Sequence, residues 1–396
     1  MKYRRFGRTE LQMPVFSCGG MRYQFKWQDV PLDEVPPENQ ANLEATIRRS
    51  LELGIHHIET ARGYGSSERQ LGLVLPKIPR DQLIVQTKIA PTANPGDFVD
   101  DFHDSMSRLQ LDYVDLLALH GVNTHQHLYW ATRKGGCLDA ARQLVDQGKV
   151  RFVGFSTHGP REVIQAAIEH DDSGGFDYVN LHWYYICQRN WPAIEAAHQR
   201  DMGVFIISPA DKGGMLYRPT KQLIELCDPL HPLVFNCLFC LRRPEVHTLS
   251  LGASCPGDFD LQCSTLNLLD QADELVPTIV KRLEQALDQA VGSDIRRRFE
   301  EGLPGWSDTP GHINIGAILW LRQLLLAFDM REYAQMRYNL LGHGGHWFPG
   351  LNAQLCQQLD FTACLANSPY RDQIPAWLLD AHQQLYQAPK QRLSQS

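Results

Sequence analysis

From Met13 to about Leu269 the chain alternates short, nearly continuous apolar runs with amphipathic stretches. The runs Pro14–Cys18, His56–Thr60, Leu83–Thr87, Tyr113–Leu119, Val150–Phe155, Tyr178–His182, Val204–Ser208 and His247–Leu251 have the length and β-branched content of strands buried on both faces of a parallel sheet. Between them the apolar period lengthens to that of a helix. Ala41–Leu53 aligns Leu43, Ile47 and Leu51 on one face, and Phe98–Leu109, Leu138–Gln147, Arg161–Ile168 and Pro192–Gln199 follow the same style. Gly54, Gly148 and Gly203 each fall between a helix and the next strand, where a helix terminus favours glycine. Eight strands alternating with helices predict an α/β fold, a closed (β/α)8 TIM barrel. A doubly wound open sheet is the runner-up, but no G-x-G-x-x-G follows an early strand.

Both flanks break the rhythm. Tyr3–Gln12 reads as an N-terminal β-hairpin around Gly7-Arg8-Thr9, placed to plug the barrel floor. After Leu269 the alternation stops, and Pro277–Phe299, Ile313–Leu341 and Ile374–Gln387 read as helices joined by Gly- and Pro-containing linkers. The expected domains are a barrel over residues 1–276 and a C-terminal helical extension over 277–396. A length of 396 residues suits one barrel plus an appended piece.

Composition narrows the function classes. The net charge of −7 offers no basic excess for nucleic acid, and Arg296-Arg297-Arg298 reads as a solvated helix face. The apolar stretch from Ile315 to Phe328 is interrupted by Arg322 and is too short for a bilayer. The opening residues Met1-Lys2-Tyr3-Arg4-Arg5-Phe6 lack the apolar segment of a signal peptide. A cytoplasmic protein that contacts no membrane is expected. The ten cysteines are scattered, and Cys237-x-x-Cys240 has no matching second pair, so buried free thiols are expected.

In such a barrel, chemistry belongs at the carboxyl ends of the strands. The second strand runs into Glu59-Thr60-Ala61-Arg62-Gly63-Tyr64-Gly65, the third ends Thr87-Lys88, and the fourth ends Leu119-His120. An acid, a tyrosine, a lysine and a histidine thus emerge in order from three successive strands. This set resembles the tetrad of the aldo/keto reductase family, D-T-A-x-x-Y-G followed by a strand-end lysine and histidine; Glu59 stands where the family has aspartate. The resemblance covers roughly residues 1–270 and implies hydride transfer between a nicotinamide cofactor and a small carbonyl compound. Tyr64 would donate the proton, its pKa brought down from about 10 by the Lys88 cation. Glu59 would hold Lys88, and His120 would hydrogen-bond the substrate oxygen.

The same resemblance implies a cofactor set. Gly148-Lys149-Val150-Arg151-Phe152-Val153-Gly154-Phe155-Ser156-Thr157 is similar to a family segment G-K-V-R-x-I-G-V-S-N, so Ser156 and Thr157 are candidates for the nicotinamide carboxamide. Asn180 falls where the family usually has glutamine. Gly20 and Met21 follow the first strand. Ser208, Ala210 and Lys212 lie in the loop that would cover the pyrophosphate, with Gly252, Ser254, Asp258 and Gln262 after the eighth strand. NADP(H) is expected ahead of NAD(H), although Asp258 sits near where an arginine often occurs.

The tail resembles a branch of the family with an iron–sulfur domain, in Met330-Arg331-Glu332-Tyr333-Ala334-Gln335-Met336-Arg337-Tyr338-Asn339 and Gly345-His346-Trp347-Phe348-Pro349. The C-x-x-C-x-x-C runs are missing, so no cluster and no metal are expected. Trp347, Phe348, His343 and His346 are candidates for a lid over the barrel, and the extension is a candidate surface for a protein partner. Trp27, Trp130, Trp183 and Tyr185, on the loops that would shape the substrate pocket, predict an apolar cavity. The alternative to a carbonyl reductase is a cofactor-sensing binding protein with little turnover, which Glu59, Thr157 and Asn180 favour. A metal-dependent hydrolase would need carboxylates to match His56, His57 and His120.

Overall fold

A computed structural model describes residues 1–210, 212–343 and 348–387. Its described residues divide into two compact units, 1–213 with 236–272, and 214–235 with 273–387.

In the first unit, β1 (Tyr3–Arg5) and β2 (Gln12–Pro14) pair antiparallel, Tyr3 opposite Pro14 and Arg5 opposite Gln12. Pro14 thus ends the hairpin and does not begin the barrel. Eight parallel strands follow: β3 (Phe16–Gly19), β4 (His57–Glu59), β5 (Ile84–Ile89), β6 (Val114–Leu119), β7 (Val150–Ser156), β8 (Tyr178–Leu181), β9 (Gly203–Ile206) and β10 (Thr248–Leu251). They close into a barrel in chain order, with β10 pairing both β9 and β3. Each strand overlaps one of the eight apolar runs.

Helices α1 (Pro37–Glu52), α2 (Ser67–Gly72), α3 (Pro95–Leu109), α4 (His125–Thr132), α5 (Cys137–Asp146), α6 (Arg161–Glu169) and α7 (Trp191–Gln199) connect successive strands. The first starts earlier than the apolar period suggested, because Pro37 suits the first helical turn. Asn94 and Thr124 cap α3 and α4 by accepting the Gly96 and His127 N–H groups.

Within the barrel, Ile84, Leu116, Ala118, Tyr178 and Phe205 form one apolar layer. The hairpin residues Phe6, Leu11 and Met13 join it from below. The Phe6 ring lies 5.7 Å from those of Tyr178 and His247. A packed floor follows, and the polar strand ends lie at the other face.

The second unit is helical. Segment 214–235, which the sequence reading placed with the barrel, belongs here. Its Thr220 hydroxyl donates to Phe328 O and the Gln222 amide to Ala327 O, each at 2.7 Å. The helix Ile315–Phe328 is capped by Asn314, which accepts the Ala317 N–H, and stops at Asp329 with φ 49°. Its Trp320 stacks on Phe348 at 6.0 Å. Tyr338 shares a 2.7 Å hydrogen bond with His382 Nδ1. Among the described residues, no single helix is long and apolar enough to cross a membrane, and no three His, Cys, Asp or Glu side chains are placed to hold a metal ion.

Candidate active site

Period-2 alternation aims every second strand residue into the barrel. The parity that puts Ile84 in the lower layer therefore brings Lys88 inward on β5, and the parity of Leu116 and Ala118 brings in His120 just past β6. Glu59 ends β4. These side chains converge at the carboxyl face.

Lys88 and Glu59 form an ion pair at 1% and 3% exposure. Burying two charges costs several kcal/mol per ion unless further hydrogen bonds support them. Here the Lys88 ammonium also donates to Thr60 O at 2.8 Å, and the Ser250 hydroxyl donates to Glu59 Oε2 at 3.3 Å. The third ammonium contact is the Tyr64 hydroxyl, 3.3 Å away, with the Tyr64 ring centroid at 4.6 Å. The added methylene of Glu59 does not prevent the pairing.

Tyr64 is set by its loop. Its N–H donates to Ala61 O at 2.9 Å, and Ser67 N–H returns to Tyr64 O at 3.0 Å. Gly65 follows with φ 52°, where a side chain would stand 1.9 Å from Lys26 O, so only glycine fits. Arg62 anchors the loop from outside by its ion pairs to Asp101 and Asp104. The Tyr64 ring meets His120 edge-on at 5.7 Å and Trp27 at 6.0 Å.

The electrostatics correct one expectation. Lys88 does not bring Tyr64 down toward neutral pH; desolvation dominates and pushes the phenol above its ordinary value, although the side chain keeps some exposure. Burial likewise works against the Lys88 charge and lowers its pKa, while the Glu59 carboxylate in contact with it favours the ammonium form. His120 is pushed down to about 3 by desolvation first, then by the Lys88 and Lys212 charges. Tyr64 is therefore a phenol and His120 a neutral imidazole near pH 7.

The strand ends β7 and β8 bring Ser156 opposite Asn180. The Ser156 hydroxyl oxygen accepts the Gly121 N–H at 3.0 Å, which leaves its proton to donate. Asn180 is fully buried, and neither amide atom finds a hydrogen-bond partner among the described residues. A buried amide with no partner costs about 1–3 kcal/mol, and a carboxamide is a group that satisfies it from both sides. The chain's own residues thus fit a nicotinamide head. Thr157 turns elsewhere, its hydroxyl donating to Val122 O at 2.8 Å and accepting the Gly159 N–H at 2.9 Å.

Other candidates are spread around the rim. Gly20 approaches β4 closely, its N–H 2.7 Å from Glu59 O, and a side chain there would meet that oxygen at 2.8 Å. Met21 and Lys212 are partly exposed, as is Ser208 with φ 52°, while Ala210 is buried. Arg22 donates to Gly252 O at 2.7 Å. Ser254 spends both its N–H and its hydroxyl on Asp258 Oδ2, each at 2.7 Å. Gln262 is buried in the short helix Asp258–Cys263. Of the lid candidates, His346 and Trp347 lie outside the described residues, as does Asp211 of the seventh-strand loop.

The family model described as "Aldo/keto reductase family" matches residues 17–228, more than half of the chain. The chain belongs to the aldo/keto reductase family. An L-galactose dehydrogenase of Arabidopsis thaliana is 28% identical over 203 residues, 47% of this chain and 57% of that protein. An L-glyceraldehyde 3-phosphate reductase of Escherichia coli K12 is 28% identical over 176 residues, 40% of this chain and 46% of that protein. The chain therefore spans about half the length of the curated relatives it matches. Among solved structures, the holo form of the aldo-keto reductase AKR11C1 from Bacillus halodurans superposes with a TM-score of 0.60 at 21% identity, covering 71% of this chain and 96% of that one. An aldo-keto reductase from Klebsiella pneumoniae in complex with NADPH gives 0.55 at 20% identity, covering 70% and 95%. At these identities the likeness shows the fold.

The candidate site also holds residues that the sequence reading passed over. Thr60 and Ser250 support the buried ion pair. His158 and His182 follow Ser156 and Asn180 by two positions, just past the ends of β7 and β8, so continued alternation would have put them on the same inward face. Of the aromatics expected to line an apolar cavity, Trp27 is at the mouth against Tyr64, but Trp183 is not. Its ring stacks on Phe239 and lies tilted against Trp191, 4.9 Å from each. As the neighbour of inward His182, it takes the opposite face.

Proposed function

We propose that this aldo/keto reductase reduces an aldehyde or ketone to an alcohol, with a nicotinamide dinucleotide as the reductant and Tyr64 as the proton donor. The observation that carries the reading is the Lys88 ammonium between the Glu59 carboxylate and the Tyr64 hydroxyl, 3.3 Å from the latter. Relatives named as a dehydrogenase of L-galactose and a reductase of L-glyceraldehyde 3-phosphate support an aldehyde–alcohol couple, and a solved aldo-keto reductase named as a complex with NADPH supports the cofactor class.

When bound, the nicotinamide supplies the hydride to the carbonyl carbon. Ser156 and Asn180 would hold its carboxamide, with Gly20, Met21, Ser208, Ala210, Lys212 and Gly252 along the remainder. Tyr64 gives its proton to the substrate oxygen, because a developing alkoxide is a much stronger base than a phenolate. The nearby ammonium stabilises the phenolate left behind. Neutral His120 orients the same oxygen as a hydrogen-bond donor. Solvent then returns a proton to Tyr64. On the resemblance, NADP(H) is proposed ahead of NAD(H).

The test is turnover of NADPH and NADH, followed by absorbance, with a panel of aldehydes and ketones. Oxidation of cofactor that depends on the carbonyl compound and is lost in Tyr64→Phe is the expected result. Tight cofactor binding with no turnover on any carbonyl would replace the reductase with a cofactor-binding sensor.

A further inference from the structure

Below Glu59 and Lys88 the barrel interior holds polar side chains that the proposed chemistry does not use. His57 lies two positions before Glu59 on β4, and Gln86 two positions before Lys88 on β5, so alternation turns all four inward. The His57 ring lies 5.3 Å from that of Phe205, a member of the apolar layer. His57 Nδ1 and the Ser17 hydroxyl are 2.6 Å apart, and the Ser17 hydroxyl is 2.7 Å from that of Thr248. This row accounts for one ring nitrogen of His57 and leaves Nε2.

His57 and Gln86 are both fully buried. Among the described residues, His57 Nε2 and both amide atoms of Gln86 close no hydrogen bond, although the Gln86 amide faces His57 from the next strand. Flipping the amide changes nothing, because both of its ends are unpaired. A direct bond between the two residues would still leave one end of the amide unpaired, since an amide offers two N–H donors and a carbonyl oxygen. A water molecule matches the set. It accepts from the amide N–H and meets His57 Nε2 as donor or acceptor, whichever tautomer the Ser17 row selects.

The set stands beside the ion pair. Glu59 and Gln86 are register partners on β4 and β5, and the Lys88 charge reaches His57. Of the titratable groups around the Lys88 ammonium, Glu59 carries the opposite charge, while Tyr64, His57 and His120 are neutral near pH 7. In wholly apolar surroundings such a pair loses its charges by moving one proton: an Nζ–H bond of Lys88 breaks and an O–H bond forms on Glu59, leaving an amine and an acid. Neutral dipoles within reach favour the ionised form.

We propose that His57 and Gln86 bind a water molecule beneath Lys88, and that this polar layer keeps the Glu59–Lys88 pair ionised. His57 and Gln86 are thus positioning residues that act on Tyr64 through Lys88, a last step that rests on the reductase reading.

The experiment pairs a high-resolution crystal structure of the wild-type protein with NMR titration of the Lys88 Nζ in the wild type and in Gln86→Met. Methionine is an apolar side chain of similar length, and replacing an unpaired buried amide by it costs the fold little. The wild type is expected to hold a water within hydrogen-bond distance of both Gln86 and His57 Nε2. In the variant that water should be gone, and the pH at which Lys88 loses its charge should fall by about one unit. The kcat for reduction should fall with it, about tenfold, while the cofactor dissociation constant stays within about twofold. A dry contact between Gln86 and His57 in the wild type, or a variant whose Lys88 titrates as in the wild type, overturns the proposal and leaves the reductase reading standing. A bound water and the Lys88 shift, found in an enzyme that turns over no carbonyl compound, support the ionised pair and overturn the reductase reading instead.

Discussion

The Lys88 ammonium lies 3.3 Å from the Tyr64 hydroxyl and 4.6 Å from the centre of its ring, so one cation faces both the oxygen and the π-face of the same residue. Tyr64→Phe keeps the ring contact and removes the hydroxyl, with its proton and the 3.3 Å contact to Lys88. General acid catalysis typically contributes about 10²–10⁴-fold, so kcat should fall by that order while the cofactor dissociation constant changes little. Steady-state kinetics paired with a fluorescence titration separates the two. A variant within threefold of wild-type kcat removes Tyr64 from the chemistry.

The pH profile follows from the directions of two shifts. Tyr64 is raised, so its donating form persists across neutral pH, and His120 at about 3 does not titrate there. For reduction, kcat/KM should be flat from about pH 5 to 8. In the alcohol-oxidising direction the phenolate is the base, and the rate should climb with pH through the alkaline range. A histidine-like limb near pH 6.5 in the reduction profile would contradict the neutral assignment of His120.

Glu59 is both the partner of Lys88 and the acceptor of the Ser250 hydroxyl. Glu59→Gln keeps the shape but leaves the Lys88 charge buried without its counter-ion. Removing one member of a buried pair typically costs about 3–5 kcal/mol. Urea unfolding should show a loss of that size, together with a lower kcat. An unchanged midpoint would mean that Lys88 is already neutral in the fold.

How much of this was legible in the sequence depends on distance along the chain. The eight strands were visible because doubly buried strands are continuous apolar runs, and Glu59, Tyr64, Lys88 and His120 because each stands at or just beyond the carboxyl end of such a run, in an order that resembles the family's. Contacts set by three-dimensional register were not. His158 and His182 are 24 positions apart and meet only because Ser156 pairs with Asn180. The direction of the Tyr64 shift was missed for a related reason: the Lys88 charge can be read from a motif, but the desolvation that outweighs it comes from the packed surroundings. Segment 214–235 followed the barrel strands in sequence, yet its carbonyl partners, Ala327 and Phe328, lie about a hundred residues onward.

Acid should weaken the fold through the barrel interior. Desolvation first, with the His56 and Lys88 charges, pushes His57 down to about 3, and His120 is at a similar value. Between about 3 and the ordinary 6.5, the unfolded chain binds protons that the folded protein refuses. Stability is thus fully present above about pH 6.5 and is lost as pH falls through that window, each histidine contributing up to about 1.4 kcal/mol per pH unit. Urea midpoints measured from pH 7.5 to 4.5 should decline, with the His57 and His120 imidazole nitrogen shifts still those of neutral rings at pH 5. Protonated rings in the folded state at that pH would place the acid sensitivity elsewhere.

Asp258 offers the sharpest test of cofactor preference. Its carboxylate accepts the Ser254 N–H and hydroxyl, each at 2.7 Å. Desolvation there works to raise its pKa, but the Ser254 hydrogen bonds and the Arg22 charge outweigh it and hold the carboxyl below the usual range. Asp258 is thus a fixed negative charge where the family resemblance implies contact with the cofactor. A ribose 2′-phosphate nearby would meet like charge and find the Ser254 donors already engaged. Asp258→Asn removes the charge and keeps an acceptor for Ser254. The NADPH dissociation constant should tighten about tenfold, with the NADH constant within twofold, and the gain should shrink as salt screens the interaction. Equal changes for both cofactors would place Asp258 away from the 2′-phosphate, and the discrimination would then have to come from another part of the rim.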